Sequence, residues 1–181
     1  MYLYWLIVGC EVAFWLVLTV ALVARYLLRR HALSRALLLA LPAVDLLLLA
    51  FTAADLRAGT AATFAHGLAT AYVGFTVAFG SVVVRWADAR FAHWFANGPP
   101  PSASSLRGWA AVREELALWL RSIVAWVITT ALLIALIAYI DNETVTQELS
   151  EWFRIAFGSI ILWFVFGPVW SVVFFRRTAV R

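Results

Sequence analysis

Lysine is absent from the 181 residues of this chain, and cysteine and methionine occur once each. All 14 basic residues are therefore arginines, which excludes a Schiff-base lysine and a phosphate-loop lysine. The lone Cys10 excludes an internal disulfide and a paired-cysteine metal site. Charge is scarce as well: 13% of residues are charged, against about 25% in soluble domains. No histidine pair has the spacing of neighbouring helical turns, and G-x-S-x-G, H-E-x-x-H and glycine-rich phosphate loops are missing. His66 and His93 are separated by 27 residues, about 40 Å along a straight helix, too far to share a metal or a haem. His31 could approach His93, but both lie in arginine-rich segments beside the membrane. No metal, cofactor or catalytic residue is expected, and an enzyme is not the expected class.

What remains is apolar. Hydrophobic residues make up 65% of the chain, and the mean hydropathy is +0.90. Five runs are long enough to cross a hydrocarbon core of about 30 Å at 1.5 Å per residue. They span about 2–24, 36–54, 63–84, 116–140 and 152–175. The expected fold is all-α: a single five-helix transmembrane bundle. An amphipathic interfacial helix is expected in the cytoplasmic segment 85–115, between spans 3 and 4. The acidic stretch from Asp141 to Glu151 is expected as a loop.

Arginine fixes the expected orientation. Arg25, Arg29, Arg30 and Arg35 crowd the first loop, five more lie from Arg85 to Arg121, and Arg176, Arg177 and Arg181 close the chain. With five spans, these 12 of the 14 fall on one side, which the positive-inside rule makes the cytoplasm. The N-terminus is then outside and the C-terminus inside. Trp5 and Trp152 would mark the outer interface. The pI near 9.8 reflects this topology and does not imply nucleic-acid binding.

Three groups of residues need explaining. The first is a stripe on span 3: Gly67, Ala71, Gly74, Ala78 and Ser81 alternate spacings of 4 and 3 and share one helix face. Small side chains let helices approach closely in lipid, where van der Waals contact holds them. The stripe predicts that span 3 is central in the bundle or faces a second copy. The second group is Glu11 and Asp45, near mid-span. An acid at a helix centre costs about 2.5–3.5 kcal/mol on insertion scales. The eight leucines of span 2 offset that cost, and such acids carry function or fix packing. Counted from the inner ends, the two lie within about 6 Å of one depth, so they could share a proton if their faces meet. The third group is interfacial: Arg85, Trp86, Asp88, Arg90 and His93 suit a headgroup layer and could hold anionic lipid. His66, at the outer end of span 3, is expected to cap or pack there and to be pH-sensitive.

Several segments of the central region carry a resemblance. Thr63-Phe64-Ala65-His66-Gly67, Tyr72-Val73-Gly74-Phe75, Val77-Ala78-Phe79-Gly80, Arg85-Trp86-Ala87-Asp88, Arg90-Phe91-Ala92-His93 and Gly98-Pro99-Pro100-Pro101 resemble a group of uncharacterised bacterial integral membrane proteins of the YmcC type. The resemblance is best over residues 45–115. It implies a multi-pass protein of the bacterial plasma membrane and brings no chemistry with it.

The first functional expectation is a non-enzymatic module that packs against itself or another membrane protein through the span 3 stripe. The alternative is a small proton-linked transporter or channel built on Glu11 and Asp45. A membrane enzyme or electron carrier is the third. The lipid bilayer is the one partner common to all three.

Overall fold

The computed structural model describes residues 2–100 and 108–174, with the side chains of residues 2–4, 7, 8 and 11 outside the described set. All described regular structure is helical. The elements are α1 (Tyr2–Tyr26), α2 (His31–Arg57), α3 (Phe64–Ala96), α4 (Trp109–Ile140) and α5 (Glu143–Phe164). A π-helical turn, Val165–Val169, carries α5 into a last α-helical turn, Trp170–Val173. The turn contains Pro168. Proline has no N–H for the ladder, and the wider turn absorbs that loss without ending the rod.

Four of these rods are long and apolar enough to cross a membrane, and Val12–Tyr26 adds a shorter apolar stretch. The helices outrun the apolar runs that predict them. α3 has 33 residues and α4 has 32, about 50 Å each, well beyond a 30 Å core. Residues 85–96 continue α3 and residues 109–115 begin α4, so no separate interfacial helix occurs among the described residues. The reason is local. Nothing between Phe64 and Ala96 breaks a helix; the stop is Asn97, in the left-handed region at φ 50°, followed by Gly98-Pro99. The acidic stretch differs from expectation for a similar reason. Asp141, at φ 50°, ends α4, and the Asn142 side chain caps α5 by accepting the Val145 N–H at 3.2 Å. Glu143 then sits in the first turn, where negative charge suits the helix dipole. Helix therefore replaces the expected loop.

The rods run up and down, with α1–α2 and α3–α4 the most extensive pairings. α3 touches all four other helices and is the central element. At one end, carrying Asp55 and Asp141, the Ala62 N–H donates to the Val145 carbonyl at 2.7 Å, and Arg57 donates to the Tyr139 carbonyl at 2.9 Å. These bonds tie the α2–α3 loop to the α4–α5 turn. At the opposite, arginine-rich end, Tyr26 donates to Asp88 at 2.9 Å, and Arg25 lies 3.3 Å from the same oxygen. Burial, and then the bond to Asp88, push the Tyr26 phenol up from its ordinary 10.0, so it remains a donor.

The small stripe on α3 is filled from within the chain. A Cβ at Gly67 would collide with the Trp152 indole, and one at Gly74 with Thr129 and the Ala125 carbonyl. Trp152, expected at the outer interface, is 3% exposed because its ring occupies the space that Gly67 leaves. Ala71 and Ala78 are buried on the same face, whereas Ser81 is exposed and lies beyond the packed part. α3 is thus central, the first of the two expected arrangements, with α5 filling the stripe at Gly67 and α4 at Gly74.

Candidate functional site

Asp45 belongs to the buried face of α2. Leu41, Asp45, Leu48, Thr52 and Leu56 follow one another at helical spacing, and all are buried. The apolar members drive that face inward, and the carboxyl goes with them. It is 2% exposed, at the junction of three helices. Thr76 of α3 and Cys10 of α1 lie near enough to interact with its charge. One carboxyl oxygen, Oδ2, has no hydrogen-bond partner among the described residues. Such a group is rare in folded proteins, because leaving a buried polar atom unmet costs about 1–3 kcal/mol. Glu11 follows Cys10 in α1, and its side chain, with its expected approach to Asp45, lies outside the described residues.

Beside this acid lies a cleft of about 250 Å³ between α1 and α3. Phe14 and Trp15 form one wall, and Tyr72, Phe75, Phe79 and Val83 the other, with Gly80 between them. Thr76 also lines it, so the cleft and Asp45 share this residue as a neighbour. Sequence reasoning missed the cleft. The available signal was the 3-then-4 spacing of Tyr72, Phe75 and Phe79, which stacks three aromatic rings on the α3 face that carries Thr76.

His66 occupies a different setting, at the acidic end. It is the third residue of α3, and its Nδ1 accepts the Thr63 backbone N–H at 3.1 Å. The Thr63 hydroxyl lies 3.0 Å from the same nitrogen. A backbone N–H can only donate, so Nδ1 carries no proton and the ring's hydrogen is on Nε2. That N–H donates to Asp55 Oδ2 at 3.1 Å, and Asp55 Oδ1 accepts the Thr60 hydroxyl at 2.9 Å. Threonine, histidine and aspartate thus form a chain, but the helix cap already uses the Nδ1 lone pair. The ring has no free base with which to activate Thr63, and the cluster is a cap in which each atom is matched. Among the described residues, no group of three His, Cys, Asp or Glu could hold a metal.

The interfacial set divides. Asp88 is 28% exposed and belongs to the tie with Tyr26 and Arg25. Arg90 stacks its guanidinium 3.8 Å from the Trp86 ring centre. His93 Nδ1 donates to the Gly98 carbonyl at 3.0 Å and helps close α3. Arg85 and Trp86 are exposed.

Fold and site together define a membrane protein: an all-helical bundle with one carboxyl sealed among its first three helices. The chain is 36% identical over 162 residues to "Uncharacterized membrane protein YmcC" of Bacillus subtilis (strain 168), an alignment covering 89% of this chain and 83% of that one. It belongs to the YmcC family of membrane proteins. No family model matches it, and no solved structure does.

Proposed function

We propose that this chain is a five-span protein of the bacterial plasma membrane, N-terminus outside and C-terminus inside, and that it is a small proton-linked transporter or channel that passes protons through Asp45. The observation that carries this reading is the unpartnered Oδ2 of a carboxyl that is 2% exposed. A carboxyl so placed is stable with a proton on it or a cation beside it, and an acid kept inside a membrane at that cost acts by default as an ion or proton site. Glu11, one residue beyond Cys10, is the second candidate. Proteoliposomes loaded with a pH-sensitive dye test the reading. Proton flux is expected from wild type, with loss to background in Asp45→Asn and a partial loss in Glu11→Gln. Undiminished flux in Asp45→Asn would remove the proposal.

A second reading keeps the chain as a non-enzymatic module that binds its own copy or another membrane protein. One observation favours it. Gly158 on α5 is exposed, with nothing within 4 Å of a Cβ built there. It lies among the exposed side chains of Phe157, Ile161 and Leu162. A bare glycine on an outward apolar face permits close helix approach. On this reading Gly158, and not the filled stripe of α3, carries the contact. Native mass spectrometry of Gly158→Leu would show loss of an oligomer that Ser81→Leu leaves intact; a monomer in wild type would end this reading.

A further inference from the structure

The aromatic cleft and Asp45 are neighbours, and their chemistries are complementary. Five ring-bearing residues, Phe14, Trp15, Tyr72, Phe75 and Phe79, line a space of about 250 Å³. Among the described residues, no arginine lines it. Thr76 lines that space and also neighbours a buried carboxyl with one unmet oxygen. Aromatic faces carry partial negative charge and attract a desolvated cation. A neighbouring carboxylate adds attraction that low dielectric strengthens. A neutral hydrocarbon would use the rings and leave Oδ2 unmet, and an anion would meet repulsion from both.

We propose that the α1–α3 cleft binds a small hydrophobic organic cation, an aromatic ring bearing an ammonium group, with Asp45 as its counter-charge. The inference rests on the reading of Asp45 as a proton site and names the solute class. The volume lies below the usual range of drug-sized pockets, about 300–1,000 Å³, so it suits one ring and a compact head. The exchange balances without any redox step. The protonated carboxyl loses its hydrogen as H⁺, the carboxylate balances the charge of the arriving cation, and no bond of the ligand breaks. Among the described residues, Thr76 on α3 and Cys10 on α1 are the polar and titratable groups that interact with Asp45.

Benzyltrimethylammonium is the probe, and neopentylbenzene is its neutral isostere. Both are titrated into the full chain in phospholipid nanodiscs by calorimetry, with a dye in weak buffer reading released protons. Saturable cation binding with about one proton released per cation is expected, with the isostere about 10-fold weaker or worse. Asp45→Asn should abolish the proton release and weaken binding about 10-fold. Gly80→Leu is the second variant. A Cβ there meets nothing closer than Thr76 at 3.8 Å, so the side chain has room to enter the cleft with the fold and Asp45 intact. It should weaken binding to a similar degree with an unchanged melting temperature. Equal binding of the isostere, full affinity in Asp45→Asn, or no binding by wild type would each overturn the inference. Asp45-dependent proton flux without cation binding would remove the inference and leave the underlying reading standing. Loss of that flux dependence would remove the reading.

Discussion

Asp45 and His66 are both buried polar residues on packed helix faces, about 15 Å apart along the axis by residue count, yet their surroundings differ in kind. His66 has each ring nitrogen matched, one to the Thr63 N–H and one to Asp55. Asp45 has Thr76 beside it and one oxygen without a partner. The His66 cluster stabilises the fold and has no remaining valence to offer a ligand. The Asp45 site leaves a strong acceptor unused in the interior, where the fold gains nothing from it. The contrast lies in the partners and not in the residue type: the imidazole is matched, and the carboxyl is not.

That contrast can be broken from either side. The largest effect is expected from Gly67→Leu, next to His66. The new side chain must displace the Trp152 indole from the centre of the acidic end. A loss of more than about 3 kcal/mol is expected, read as failure to recover folded protein from the membrane. His66→Leu removes the cap acceptor and leaves Thr63 N–H and Asp55 without their partner. A loss of about 1–3 kcal/mol follows, measured by melting temperature in nanodiscs. His66→Gln should recover most of it. Glutamine at the third helical position can also accept the Thr63 N–H, in the standard capping box. Smaller still is Tyr26→Phe at the arginine-rich end, which gives up one bond to Asp88. About 1 kcal/mol is expected there, because Arg25 remains beside the carboxylate. If His66→Leu proved neutral for stability and harmful to flux, the assignment of roles would reverse.

Parts of this arrangement were legible in the sequence. Asp45 stands out in a leucine run, and the spacing of Leu41, Leu48, Thr52 and Leu56 gives its face. The small stripe on α3 was legible as spacing, but the residues that fill it come from α4 and α5, whose rotation about their axes no spacing on α3 encodes. The same holds for the Asp55–His66 bond, which crosses a loop and depends on how α2 meets α3. Helix ends were misjudged because hydropathy locates lipid, whereas Asn97, Asp141 and Asn142 decide where the backbone turns. The cleft was missed because its two walls come from different helices.

Proton flux measured side by side in Asp45→Asn and His66→Gln tests the central claim most directly. Both variants remove a buried titratable group at near-constant size, and both should reconstitute as folded protein. Flux at background in Asp45→Asn, with wild-type flux in His66→Gln, is the predicted result. Wild-type flux in Asp45→Asn would contradict the account, whatever His66→Gln does.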